Sequence, residues 1–254
     1  MSLKLACAGA TRVNGGLNVS DLSALVKTLK PKDGRQTSRR MSRKKLLKLL
    51  CGICTEMKFN NGINVLKDFS SNQTDFTYKG TPVQGVSTAI ASGGYGTVYK
   101  YKFMYKGSPY YLSYKLPLKD RELEEIAVLR KYPEAMKCPH VINIKVQGGI
   151  TFMPLAAGDL SVFRGKLRPD QAHNIIRQIM DSLKCLYDKK IYYFDIKTSN
   201  ILYTCTNTGG IRVYLGDMGS VIPRERGGAH YTCTIPPPGH HVGGFVYLDQ
   251  INVL

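Results

Sequence analysis

The chain contains no tryptophan, and none of its apolar runs reaches the roughly 18 to 20 residues that cross a bilayer as a helix, so no membrane span is expected. Its start, "MSLKLACAGATRVNGG", carries too short an apolar stretch for a secretory signal. Acidic residues are scarce: 18 Asp and Glu face 36 Lys and Arg, a net charge of +18 that attracts polyanions such as nucleic acid, anionic membrane or acidic proteins. Paired cysteines are also missing. Seven cysteines at positions 7, 51, 54, 138, 185, 205 and 233 are odd in number and irregularly spaced. This argues against a disulfide framework and for a reducing intracellular compartment, cytoplasmic or nuclear. Cys51 and Cys54 form a CxxC without a second pair or a nearby His pair. Two small apolar residues one helical turn apart are therefore a simpler reading than zinc or redox chemistry.

What is present suffices for one or two globular domains: 254 residues, 43% apolar and 21% charged. The positive charge is uneven, with 15 basic against 5 acidic side chains in residues 1–80. That region reads as a short amphipathic start, a basic connector "KPKDGRQTSRRMSRKK", one helix over roughly Lys44 to Phe59, and a polar loop "DFSSNQTDFTYKG". From Val83 onward short strands rich in Tyr, Val and Ile take over, with Tyr99, Tyr101, Phe103 and Tyr105 on one face at period two. The change puts a boundary near residue 80. "YKGSPYY" predicts a turn, followed by a strand ending at Lys115. "DRELEEIAVLRKY" predicts a helix with acidic residues early and basic ones late, as the helix dipole favours. Pro169 and Asp170 open a longer helix in which Ala172, Ile175, Ile176, Ile179, Leu183, Leu186 and Tyr187 form a core stripe. Then come "YYFDIKTSNILY", a turn at "TNTGG", a strand "IRVYL" and a Pro- and Gly-rich tail. The order predicts an α+β fold of two lobes with a cleft.

Several residues carry chemistry. "IASGGYGTVYK" places Gly93, Gly94 and Gly96 in a turn between strands, where backbone amides can approach an anion, or where a plain hairpin turn suffices. It is not a Walker loop, because no GK[ST] follows. Lys115 lies among tyrosines and leucines. It is either a snorkelling edge lysine or a phosphate ligand held by an acid. Glu125, which shares a helix face with Val128, Leu129 and Tyr132, is the best such acid. In "YFDIKTSNIL", Asp195 could orient a hydroxyl nucleophile, Lys197 could neutralise a transferred phosphoryl group, and Asn200 could offer an oxygen to magnesium. Asp217 of "YLGDMGSV" supplies the second metal ligand. Turn capping is the simpler account of Asp195 and Asn200, and Asp217 weighs against it.

In this order these residues resemble the eukaryotic-type protein kinase family, from about Val83 to the C-terminus, about two thirds of the chain. The family's G-x-G-x-x-G-x-V loop resembles Ala91-Ser92-Gly93-Gly94-Tyr95-Gly96-Thr97-Val98. The resemblance implies ATP and magnesium as cofactors, with Ile90 and Leu202 also at the nucleotide. It makes Lys115 the ATP-positioning lysine and Glu125 its partner. It puts Met153 at the gatekeeper, Pro154 to Ala156 in the adenine hinge, and Asp159 near the ribose. The catalytic loop H-R-D-L-K-x-x-N becomes Tyr193-Phe194-Asp195-Ile196-Lys197-Thr198-Ser199-Asn200, and D-F-G becomes Asp217-Met218-Gly219, with Asn200 and Asp217 on the metal. "TCTIPPPG" is similar to the end of an activation segment. Lysine two places after the catalytic aspartate is the serine/threonine pattern, so a protein substrate with a Ser or Thr acceptor is implied. The implied fold is bilobal, with an antiparallel-sheet N-lobe with one helix and a mainly helical C-lobe. The expected divisions are a basic N-terminal extension, 1–80, and a kinase-like domain, 81–254, split into N-lobe and hinge, 81–156, and partial C-lobe, 157–254.

The departures carry their own expectations. Ala91 replaces the first loop glycine and keeps the two nearest the phosphates. Phe194 replaces the arginine that pairs with an activation-loop phosphate, which implies a constitutive enzyme. Gly239 replaces the glutamate that anchors a later helix. "GFVYLDQINVL" resembles the start of the central C-lobe helix, anchored by Asp249, so the C-lobe is expected to be incomplete and to expose apolar surface. Such drift with compact length suggests a kinase of a large DNA virus. A pseudokinase or scaffold is the competing reading. Others are a nucleic-acid binder acting through its basic segment and a small-molecule kinase. "SRRMSRKK" is a solvated linker or an import or polyanion patch, and Arg39-Arg40-Met41-Ser42 is a candidate autophosphorylation site. His240 and His241 read as surface residues. Nothing in the pattern specifies an oligomeric state.

Overall fold

The computed structural model describes residues 43–72, 75–93, 96–116, 132–193, 195–206, 210–218 and 221–223. They fall into two compact units: the first comprises the described parts of 1–118, 143–157 and 204–212, the second those of 119–142, 158–203 and 213–254.

The first unit is built on a five-stranded antiparallel sheet in the order β4-β5-β6-β8-β7. Its strands are β4 (Gly85–Gly93), β5 (Gly96–Tyr105), β6 (Ser108–Leu116), β7 (Lys145–Gln147) and β8 (Ile150–Pro154). Two-residue turns join β5 to β6 through Lys106 and Gly107, and β7 to β8 through Gly148 and Gly149. All four residues have positive φ, the geometry whose twist matches that of the flanking strands. The period-two stripe Tyr99, Tyr101, Phe103, Tyr105 faces the core: Tyr101 and Phe103 are fully buried, and Tyr99 and Tyr105 pack against the cluster. Tyr110, Leu112 and Tyr114 on β6 and Phe152 on β8 complete that face.

The expected boundary near residue 80 is not where the packing divides. A 26-residue helix, α1 (Arg43–Asp68), runs well past the predicted end at Phe59. The expected polar loop is instead a small sheet of β1 (Phe69–Ser71), β2 (Phe76–Tyr78) and β3 (Thr81–Pro82). Val65, Leu66, Phe69 and Tyr78 lie in the same core as Tyr101, Phe103, Leu112 and Phe152. Phe69 meets the rings of Phe76, Tyr101, Phe103 and Phe152 at centroid distances of 5.5, 6.1, 5.6 and 5.2 Å. Each buried ring contributes roughly 1.5–3 kcal/mol. Detaching these elements would expose both faces of a single cluster. α1 also approaches β8 closely: a Cβ at Gly62 would lie 3.0 Å from the Cα of Pro154.

The second unit holds α2 (Pro169–Asp188), one small sheet and most of a second among its described residues. One sheet pairs β10 (Ile191–Tyr193) with β13 (Val221–Pro223), and the other has the order β12-β11-β9, from β9 (Gly158–Asp159), β11 (Ile201–Cys205) and β12 (Ile211–Leu215). The expected mainly helical lobe thus shows one α-helix among the described residues, flanked by 3-10 turns. The buried face of α2 is Ile175, Gln178, Ile179, Ser182 and Leu186, whereas Tyr187 of the predicted stripe is 56% exposed. Two polar residues enter the buried face because the helix docks on backbone that needs partners. Val213 N–H donates to Gln178 Oε1 (3.0 Å), and Ser182 Oγ donates to the His140 carbonyl (3.2 Å).

Two cysteine readings change: Cys54 is disulfide-bonded rather than a plain apolar residue, and Cys138 and Cys185 form a disulfide, with Cα atoms 5.6 Å apart and a sequence separation of 47. The spacing of Cys138 and Cys185 held no sign of it, because pairing depends on the fold bringing two segments together. No helix among the described residues is long and apolar enough to cross a membrane. Gly94, Glu125, Phe194, Gly219, the predicted helix 120–131, Ser42 and everything after Pro223 lie outside the described residues.

Candidate active site

In the first unit the strand register sorts the candidates onto one face. Lys115 pairs with Val98 on one side and Thr151 on the other, and Val98 pairs with Ala91. Met153 pairs with Ser113, two residues from Lys115 and therefore on the same face. This face is opposite the aromatic core. A bulge makes it possible: Ala89 pairs with Tyr99 and Ala91 with Val98, so Ile90 is the extra residue. The insertion reverses the alternation, turning Ala91 to the side of Val98 and Lys115. Ile90 itself is 52% exposed. Beyond it the strands converge at the pair Gly93 and Gly96. Lys100 shares the face with Lys115, adding positive charge. At the end of β8, Ser113 Oγ donates to the carbonyls of Met153 (3.4 Å) and Pro154 (3.2 Å). Ala156, past the end of β8, has no place in the sheet ladder.

In the second unit the segment after β10 folds on itself. A 3-10 turn over Thr198–Asn200 brings Asn200 back to Asp195. Asn200 Nδ2 donates to both the main-chain carbonyl (3.0 Å) and Oδ2 (2.7 Å) of Asp195. Lys197 Nζ donates to the same Oδ2 at 2.7 Å. Asp195 Oδ1 accepts no bond from the described residues. With both contacts to Asp195 made through nitrogen, the Asn200 amide oxygen is left to face elsewhere.

Asp217 is tied to the same loop. Gly216 N–H donates to the Asn200 carbonyl (2.8 Å), and the Tyr193 hydroxyl donates to the Gly216 carbonyl (2.7 Å). Asp217 has a left-handed φ of 44°, uncommon for a residue with a side chain, and sits between this anchored glycine and the buried Met218. Tyr193 is buried, and its hydroxyl is pushed well above the ordinary tyrosine range by burial and then by the charges of Asp217 and Asp195. One hydroxyl thus feels both carboxylates. Asp159 and Leu202 pair across β9 and β11. Asp159 Oδ1 caps its own turn, accepting from Ser161 N–H (2.9 Å) and from Ser161 Oγ.

The family model described as protein kinase domain matches residues 86–235, more than half of the chain. The chain belongs to the protein kinase family. Within the kinase domain, Asp195, Lys197 and Asn200 are directly bonded, and Asp217 joins them through Gly216 and Tyr193. Ala91, Val98, Lys115 and Met153 share a sheet face in the other unit. The match starts at residue 86, so α1 and β1 to β3 precede it although they belong to the same core.

Among the described residues, no three His, Cys, Asp or Glu side chains cluster as a metal site. An amide oxygen at Asn200 with a carboxylate at Asp217 nevertheless fits magnesium, which takes few protein ligands and completes its shell with water and phosphate. Sequence reasoning missed Tyr193. It fills the place of the histidine in H-R-D, and that replacement by another ring with a polar tip was the available signal.

Proposed function

We propose that this kinase domain transfers the γ-phosphoryl group of Mg-ATP to a serine or threonine hydroxyl of a protein substrate. The observation that carries the reading is the Asn200 amide bonded to Asp195, with the Asn200 carbonyl holding the residue before Asp217. One asparagine thereby fixes the acceptor-orienting carboxylate and the metal-facing carboxylate to the same short loop.

Asp195 acts through Oδ1, accepting the hydrogen of the substrate hydroxyl, while Asn200 and Lys197 hold Oδ2 in place. Lys197 also offers its charge to the transferring phosphoryl group. Asn200 Oδ1 and the Asp217 carboxylate would hold magnesium, which supplies charge neutralisation on the phosphates. Ala91, Val98 and Met153 line the nucleotide face, Gly93 and Gly96 open backbone amides to phosphate, and Lys115 grips it. The adenine edge meets the hinge backbone over Pro154 to Ala156. Lysine at 197 favours serine and threonine acceptors.

The test is an Asp195→Asn variant assayed with labelled ATP and a generic Ser/Thr substrate such as casein. Loss of one such group costs at least ~3 kcal/mol of transition-state stabilisation, roughly a hundredfold in rate, with melting unchanged. Unaltered turnover would remove Asp195 from its role. Mg-ATP binding without turnover in the wild type would instead support a pseudokinase.

A further inference from the structure

The Cys138–Cys185 disulfide stands at one end of a bonded path to the proposed site. Residues 138–142 have no regular structure beyond one residue bridge and are fastened to α2 and β12. The covalent fastening is the disulfide. The others are hydrogen bonds: Ser182 Oγ to the His140 carbonyl (3.2 Å), Leu215 N–H to that carbonyl (2.8 Å), Ile142 N–H to the Leu215 carbonyl (3.0 Å), and His140 Nδ1 to the Val213 carbonyl (3.1 Å). β12 is held to α2 by Gln178. It leads directly into Gly216, whose N–H donates to the Asn200 carbonyl, and then into Asp217.

The two sulfurs are not equivalent. Cys138 is 4% exposed, whereas Cys185 is partly open and lines a cavity, largely open to solvent, with Pro139, Asp181, Lys184, Asp188 and Lys189. Two lysines against two aspartates leave the lining near neutral, which suits a zwitterionic thiol. Lys184 is already paired with Asp188 at 2.7 Å, which leaves Lys189 and Asp181 as the opposite charges that an incoming zwitterion meets. In disulfide exchange, access decides which sulfur is attacked.

We propose that Cys185 is a thiol–disulfide exchange site for small zwitterionic thiols, and that its reduction removes the covalent tie between residues 138–142 and α2. A thiolate entering the cavity attacks Cys185 Sγ. The new bond joins the small thiol to Cys185, and the electron pair of the broken bond leaves on Cys138, which takes a proton from water. A second thiolate attacks the small-thiol sulfur of that adduct, freeing Cys185 as thiolate and producing the oxidised small thiol. Two thiols lose two electrons in total, and the protein disulfide gains them. The segment is then held by its hydrogen bonds and by the buried side chains of Val141 and Ile142 without the covalent tie, which lowers the stability of the unit carrying Asp195 and Asp217.

The test uses the full chain and needs no phosphotransfer assay, so its outcome is separate from that of the proposed function. The protein is exposed to reduced glutathione, quenched by alkylation at intervals, and mapped by mass spectrometry, with melting followed in parallel. The expected result is a Cys138–Cys185 linked peptide that disappears as a glutathione adduct forms on Cys185 ahead of Cys138. The melting temperature falls by roughly 5–10 °C. A Cys138→Ser, Cys185→Ser double variant should melt low and shift less than the wild type, since it keeps only the disulfide at Cys54 among the described residues. A first adduct on Cys138, a linked peptide that persists in millimolar glutathione, or an equal melting shift in the double variant would each overturn the proposal. The adduct order is read on wild-type protein and stands even if the double variant fails to fold.

Discussion

The two units are held together by different physics. In the first, rings touch rings: Phe76 lies 4.9 Å from Tyr101 and 5.6 Å from Phe152, and Tyr99 stacks on Tyr114 at 5.2 Å. Such packing resists deformation, and it leaves the opposite face of the sheet free for Val98, Lys115 and Met153. In the second, the decisive contacts are directional: Gln178 to Val213, Asn200 to Asp195, Tyr193 to Gly216, plus one disulfide. An apolar core positions a surface, whereas a hydrogen-bonded loop aims individual oxygens. Substitutions in the first unit should therefore register almost wholly as stability, and those in the second as a smaller loss of stability together with a change of geometry.

The largest expected effect is on the first unit. Phe69→Ala removes the ring that joins β1 to the sheet and should cost about 3–5 kcal/mol, read by denaturant unfolding. A loss below about 1 kcal/mol would mean that α1 and β1 to β3 form a separate extension after all.

Gln178→Leu keeps the volume of a buried α2 residue and removes the acceptor for Val213 N–H, which should cost about 1–3 kcal/mol. A neutral result would mean that the docking of β12 on α2 is apolar in character. Tyr193→Phe deletes one hydroxyl and should cost about 1–2 kcal/mol. With the proposed chemistry, it lowers kcat more than it raises KM for ATP, because it loosens the position of Asp217 without touching the nucleotide face. An unchanged kcat would make Tyr193 structural alone.

The smallest effect is on pH dependence. Burial pushes Tyr101 from 10.0 up to about 12. An unfolded tyrosine ionises near 10 while the folded one stays neutral, so the stability linked to Tyr101 is complete below pH 10 and is lost as pH rises from 10 to about 12. Alkaline unfolding followed by circular dichroism should show that slope, and Tyr101→Phe should reduce it. Tyr193, raised in the same direction, should act likewise in the second unit.

Much of the site was legible because its spacing is local. Asp195, Lys197 and Asn200 lie within six residues, and a single 3-10 turn closes them, so offset and side-chain type already implied their meeting. The tyrosine stripe was legible because a strand has one period and two faces. The hairpin over residues 69–78 was not, because its apolar residues Phe69, Phe76 and Tyr78 are separated by a polar run that matches neither period. Nor was the second role of α2, whose Gln178 and Ser182 look solvent-facing until the backbone they serve is in view.

The amino-acid sequence by itself determined β5 and β6 with the two-residue turn between them, the strand β12, the aromatic face, the glycine turn and the loop from Asp195 to Asn200. Each depends on contacts between near neighbours, where backbone geometry leaves few alternatives. Tertiary structure alone decided that α1 and β1 to β3 complete the aromatic core, that an extra residue at Ile90 redirects Ala91, that Cys138 meets Cys185, and that Tyr193 holds Gly216. Those pairings join segments far apart in the chain or depend on one inserted residue, and they exist only once the rest of the fold has met the entropy cost of bringing them together.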